Sequence, residues 1–305
     1  MEISIILNQM SVLFILMTLG FVLGKCKIFT QEGNKTLTKI VIFIALPATV
    51  INSILQSELV VTLNFAAFAI AMSFLTFLLA FLISYPIIRL TVGEKADRGL
   101  YTFLTMFGNS AVLGIPVIVA VFGVEAAFYA ALYNIAFNVL VFSVGLMMVS
   151  RKVNKFDPRM LLNPTLLITF LIIPLAVTNV RFPFQIEEPI RLIGEFTTPT
   201  AMFVIGSTLA YIPVKAVLAQ WQIYPITILK LVVVPIIVWL VLRPFITNEM
   251  FLSVLVVLSA MPTAVSAPML AIEYDGDEGI ASAGVFMTTL LCGITIPVLL
   301  YFLFT

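Results

Sequence analysis

The stretch Met106 to Gly123, MFGNSAVLGIPVIVAVFG, is apolar enough to lie in a bilayer yet carries residues that break a helix there. Pro116 has no backbone N–H and its ring crowds the preceding turn. Ile115 before it is pushed away from α geometry, and Gly108 and Gly114 add no stiffness. The spacing predicts a backbone that opens around residues 112–116. An unpaired amide or carbonyl is costly in hydrocarbon, so such an opening is tolerated only inside protein or beside a watery cavity, the setting in which a transporter holds its substrate. Asn109 and Ser110 supply side-chain hydrogen-bonding groups at that depth.

The totals agree with a bilayer setting. At 305 residues, 62% hydrophobic and 10% charged, with mean hydropathy +1.18, the chain has too few charged side chains to solvate a globular surface and reads as a polytopic membrane protein. A net charge of +1 argues against a nucleic-acid partner. The absence of histidine removes the usual metal ligand, general base and Ser-His-Asp relay, so no enzyme activity, metal or cofactor is expected. Cys26 and Cys292 have no metal-type spacing and read as free thiols. With acidic Glu2 at the start and no A-x-A-like site after the first apolar run, the first helix is expected to be retained.

Apolar runs long enough to span fall at about 4–24, 37–56, 63–90, 99–122, 126–149, 160–180, 190–212, 221–246, 250–273 and 280–304, each roughly 20 residues or more. That predicts ten spans. Counted on alternate sides, one set of loops holds twelve Lys and Arg: Lys25, Lys27, Lys35, Lys39, Arg89, Lys95, Arg98, Arg151, Lys152, Lys155, Arg159 and Lys215. The other set holds three, Arg181, Arg191 and Arg243. The positive-inside bias puts the richer set in the cytoplasm and both termini outside.

Pro47 and Pro199 stand 152 residues apart, as do Pro116 and Pro268, and that interval is close to half the chain. Five spans per half is an odd number, so two such halves insert in opposite senses. The expected domains are residues 1–152 and 153–305, an inverted-topology repeat.

The stretches ALPATV, FGNSAVLGIP, PTAMFVIGSTL and MPTAVSAPMLAIEYDGD, with LLNP at the start of span six, resemble the auxin efflux carrier family of membrane transporters, which includes bacterial malate and malonate carriers. The resemblance runs nearly the whole chain. It implies an all-α fold of ten transmembrane helices in two inverted five-helix repeats, with the fourth and ninth helices broken and crossing near the membrane centre. It further implies a scaffold of helices one, two, six and seven and a transport bundle of the others that moves by an elevator-like step. Members carry organic acid anions, and dimers occur in the plant branch, so a homodimer is the assembly it allows. Only about ten residues, Arg151 to Met160, join the halves here, so regulation through a long central loop is not implied.

Pro116 and Pro268 each suit the first turn of a half-helix. In opposed repeats those two N-termini point toward one midplane site and favour a carboxylate. Prolines also merely kink packed membrane helices. The polar groups expected around the site are Asn109 and Ser110 in the first half and Thr263 and Ser266 in the second, beside Gly114. Asn134 and Asn138 share one face of span five, and Asn52 lies five residues after Pro47. Small amides and hydroxyls serve equally as interhelical glue. Glu195, four residues after Arg191, reads as half of a surface ion pair.

Lys230 lies about 13 Å into span eight at 1.5 Å per residue, too deep for comfortable snorkelling. Pro225 and Pro235 flank it, so freed backbone carbonyls are available to solvate its ammonium. Such a residue lines a cavity or pairs with an anion. Two readings stay open: positive potential for the substrate, or a tether.

These features predict a plasma-membrane secondary carrier, in a bacterial inner membrane, for a small organic acid anion: a malate- or malonate-like dicarboxylate, or an auxin-like acid. The alternative is an organic-anion channel, which needs a continuous pore with a basic ring, and the sequence offers one deep lysine.

Overall fold

Hydrocarbon offers the backbone no water, so a chain this apolar closes its hydrogen bonds within helices. The computed structural model describes residues 3–56, 62–93, 97–149, 174, 178, 182–212, 214–274 and 276–304. Among them there is no strand, and one isolated bridge pairs Gly108 with Thr263. The helices are α1 (Ile3–Lys25), α2 (residues 31–56), α3 (Leu63–Thr91), α4 (Arg98–Met106), α5 (Ser110–Phe122), α6 (Ala126–Val149), α7 (Phe184–Glu195), α8 (Thr197–Ala210), α9 (Val214–Leu218), α10 (Ile223–Leu242), α11 (Glu249–Ser259), α12 (Ala267–Glu273) and α13 (Glu278–Phe304).

Six stretches are long and apolar enough to cross a membrane, within α1, α2, α3, α6, α10 and α13. The other expected spans differ. Span four is divided into α4 and α5, and span nine into α11 and α12, each by a non-helical segment. Span seven is α7 and α8, which meet at Phe196, three residues before Pro199. Span six, with the 152/153 boundary between the halves, lies outside the described residues.

Polar residues at the loops start several helices. Thr30 caps α2 by accepting from Gly33 N at 3.0 Å, Asp97 caps α4 through Leu100 N at 3.1 Å, and Asn248 caps α11 through Phe251 N at 2.9 Å. Within the spans, wide π-type turns interrupt α2 at Val41–Ala45, open α5 at Ser110–Gly114, and interrupt α6 at Val141–Gly145 and α10 at Leu229–Val233.

The chain divides into two compact units. The first comprises residues 1–71, 111–135 and 162–211. Its tightest packing is α1 against α8. A Cβ on Gly206 would sit inside the Met17 carbonyl, and one on Gly20 inside the Phe203 carbonyl, so these backbones approach as only glycine permits. Asn34 Nδ2 donates to Ser207 Oγ at 2.9 Å and the Tyr211 hydroxyl donates to Phe29 O at 2.5 Å. Thr49 Oγ1 donates to Gly194 O at 3.0 Å and lies 2.8 Å from Thr197 Oγ1, fixing α2 to the junction of α7 and α8. Arg191 pairs with Glu195, as expected, and also with Glu188, each at 2.5 Å.

The second unit comprises residues 72–110, 136–161 and 212–305. Its aromatic centre is Phe107, whose ring lies 4.8 Å from that of Phe103 and 5.8 Å from those of Phe77 and Phe137. Gly145 and Gly284 let α6 and α13 close on this region: a Cβ on Gly145 would stand 3.2 Å from the Phe103 and Phe107 rings, and one on Gly284 2.9 Å from Leu104.

Candidate functional site

Two interrupted helices meet inside the second unit. Helix α4 ends at Met106, and Phe107 turns to extended geometry (φ −97°, ψ 103°). Helix α11 ends at Ser259, and residues 261–264 are non-helical before α12 begins. The two segments run antiparallel. Asn109 N donates to Pro262 O at 2.6 Å, Ala264 N donates to Phe107 O at 3.1 Å, and Gly108 faces Thr263 between them. Each break therefore satisfies the other's backbone, which is what permits both to exist in a span.

The last carbonyls of α4 are served in turn. Phe103 O accepts from Phe107 N at 2.9 Å, and Leu104 O from the Thr263 hydroxyl at 2.8 Å. Met106 O faces the Lys230 amine at 3.5 Å. On the α11 side, Thr263 N donates to Thr288 Oγ1 at 3.0 Å, and the Thr288 hydroxyl donates to Gly284 O at 2.6 Å. Lys230 sits in the wide turn of α10 and is 1% exposed. A Cβ on Gly108 would lie 3.2 Å from its Nζ and 3.0 Å from Met261 O, so Gly108 is the residue that lets the amine and the opposing carbonyl close on the break. A cation at a helix C-terminus lies where the exposed carbonyls carry negative potential.

The structure moves the predicted opening. It lies at Phe107–Asn109, whereas residues 110–122 are helical through Gly114 and Pro116. Pro116 is accommodated by the wide turn immediately before it, which carries the preceding carbonyls clear of the ring. The N-terminus of this half-helix is accordingly Ser110, not Pro116. Pro268 does occupy the first turn of α12, as expected. Lys230 meets the Met106 carbonyl of α4, where the sequence suggested carbonyls freed in its own helix.

Of the residues singled out in the sequence, Asn109, Ser110, Thr263 and Lys230 come together at the crossing and are buried, Asn109 at 5% exposure. Ser266 and Pro268 follow it in the same unit, and Ser266 is exposed. Asn138 is buried in that unit as well. Asn52, Gly114, Pro116 and Asn134 belong to the first unit and are buried there, with Asn134 Nδ2 donating to Ala130 O at 2.8 Å. Sequence reading missed Thr288 and the part played by Gly108. The pair Thr288-Thr289, placed mid-span in an apolar helix, was the available signal for the first.

The sequence pattern of the family described as "Membrane transport protein" matches residues 5–163 and 151–300. The chain belongs to this family. It is the family of the auxin efflux carriers that its motifs resemble, and the protein is a multi-pass membrane transporter, not an enzyme. Over 301 residues it is 27% identical to a protein of Rhizobium meliloti (strain 1021) named "Putative malonate transporter", covering 94% of this chain and 92% of that one. Over 293 residues it is 22% identical to an "Uncharacterized transporter" of Methanothermobacter thermautotrophicus, covering 93% of each.

Proposed function

We propose that this membrane transporter is a secondary carrier for a small organic acid anion, a malonate- or malate-like dicarboxylate or an auxin-like acid, which it holds at the crossing of the two broken helices. The observation that carries the reading is the Lys230 amine set against the end of α4 beside Gly108, which gives the crossing a positive group where an anion needs one. The name of the Rhizobium meliloti relative supports a dicarboxylate. Asn109, Ser110 and Thr263 supply polar groups around the carboxylate, with Asn138 and Ser266 as further candidates in the same unit and Pro268 shaping its half-helix, while Asn52, Gly114, Pro116 and Asn134 are candidates from the sequence pattern alone.

In this reading ten helices form two inverted repeats, residues 1–152 and 153–305, and a transport bundle moves by an elevator-like step against a scaffold. The helices of the scaffold that are described, α1, α2, α7 and α8, fall in the first unit, which also takes in residues 63–71 and 111–135, and the crossing falls in the second. The carrier resides in the plasma membrane with both termini outside, and a homodimer is its assembly.

Asn109→Ala is the test. The Asn109 backbone N–H remains bonded to Pro262 whatever the side chain, so the crossing survives the substitution. Malonate affinity of the purified carrier is expected to fall at least several-fold with folded yield nearly unchanged. Loss of folded protein with unaltered affinity in the remainder would make Asn109 structural. Saturable counterflow in proteoliposomes distinguishes a carrier from an anion channel.

A further inference from the structure

We propose that Lys230 couples transport to protons, its amine taking up a proton on the side where the organic anion binds at the crossing and releasing it where the anion leaves. The inference rests on the reading of the crossing as the substrate site.

An ammonium has three N–H donors and needs acceptors or water for each. Lys230 is buried to 1% exposure, and its acceptor is the Met106 carbonyl at 3.5 Å, a long contact for a hydrogen bond. Ionisable groups on the elements packed against its wide turn are Arg98 and Tyr101 on α4, Tyr224 in α10 and Arg243 at its end, and Glu278, Cys292 and Tyr301 on α13. Among the described residues none of them forms a hydrogen bond or ion pair with Lys230. Tyr224 donates to Leu218 O, Arg243 lies over the Trp239 ring, and Cys292 Sγ donates to Thr289 O. Among the described residues the charged form of this side chain therefore has no anionic partner, whereas a neutral amine at the same place requires none.

Gly108 brings the break up to that amine, since a Cβ there would lie only 3.2 Å from Nζ, so an anion held at the crossing lies beside it. A carboxylate there supplies the missing negative charge and favours the ammonium. By linkage, protonation of Lys230 strengthens anion binding by the same factor. The step balances as R–NH₂ plus a proton from the loading side giving R–NH₃⁺, reversed on the unloading side. One monocarboxylate moves with one proton without net charge, and one dicarboxylate dianion carries a net single negative charge.

Purified carrier in proteoliposomes, offered malonate, malate and indole-3-acetate in turn, tests this against Lys230→Arg, because arginine stays charged and retains the positive group without releasing a proton. The wild type is expected to show counterflow of at least one acid and several-fold more uptake when the outside is acid. The arginine variant, with a lower exchange rate, is expected to show a ratio of uptake with and without the gradient near one. A second measurement uses the wild type alone. Adding the transported acid in weakly buffered detergent solution, at a pH where its carboxyls are ionised, should draw up to about one proton per carrier from a pH dye. Counterflow without a gradient effect, a gradient effect kept by the arginine variant, or no dye response overturns the coupling and leaves the substrate reading standing. Absence of counterflow for all three acids overturns the substrate reading and the coupling with it.

Discussion

Gly108 decides how close the parts of the crossing come. Its neighbours are a backbone carbonyl, Met261 O at 3.0 Å from a would-be Cβ, and the amine of Lys230 at 3.2 Å. An alanine there has to displace one of them. The Met261 carbonyl belongs to a segment whose next two residues are pinned, Pro262 O by Asn109 N and Thr263 N by Thr288 Oγ1, so it yields poorly. Gly108→Ala is expected to destabilise the carrier by about 1–3 kcal/mol, the usual range for overpacking a filled site. A lower midpoint of thermal unfolding in detergent checks it, with exposed Gly93→Ala, which meets nothing within 4 Å, as the unaffected control. An unchanged midpoint for Gly108→Ala would mean that the amine simply swings away. Residue types were largely legible in the sequence, because Asn109, Ser110, Thr263 and Lys230 are polar groups in an otherwise apolar background. Partners were not. Nothing in the spacing of Lys230 points to Met106, which is 124 residues earlier in the chain.

Helices in this protein answer prolines by widening. Among the described residues, three of the four wide turns end two residues before a proline: Val41–Ala45 before Pro47, Ser110–Gly114 before Pro116 and Leu229–Val233 before Pro235. In α2 the N–H of Leu46 reaches back five residues to Val41 O, and in α10 that of Val234 reaches back five to Leu229 O. A regular turn would drive the proline ring against the carbonyl four residues earlier, and the wider turn avoids it. Sequence reasoning placed the break at Pro116 because a proline's local cost is visible in sequence and the long-range pairing of Phe107–Asn109 with residues 262–264 is not. Close helix packing poses the opposite case, with a strong local requirement and a readable motif. Gly206 stands in GSTLA of α8 and faces Met17 O with no room for a methyl group. Gly206→Ala is expected to separate α1 from α8 and to lower the yield of monodisperse protein in size-exclusion chromatography severely. A normal elution profile would show that α1 shifts along α8 at little cost.

At the scale of the whole chain, hydropathy predicts ten membrane segments, and it blurs where they are interrupted. Spans one, three, five and ten match α1, α3, α6 and α13 within two residues at each end. Spans four and nine read as continuous because Phe107, Gly108, Met261 and Pro262 barely lower a window average, although the chain there is not helical. Orientation depends on charge rather than on these breaks. Lys25, Lys27, Lys35 and Lys39 flank the junction of α1 and α2, and Lys25 lies 5.5 Å over the Phe21 ring. The junction of α10 and α11 holds one basic residue, Arg243, stacked 4.7 Å over Trp239, an arrangement suited to a membrane interface. If the lysine-rich junction is held in the cytoplasm as the positive-inside rule predicts, the α10–α11 junction is expected outside, because the two lie on opposite sides in the ten-span count. In a background with Cys26 and Cys292 replaced, Lys35→Cys should react with an impermeant maleimide only after the cytoplasmic face is opened, and exposed Thr247→Cys should react on intact cells. The reverse pattern inverts the protein, and labelling of both from outside makes the number of spans between them even, where the ten-span count puts seven.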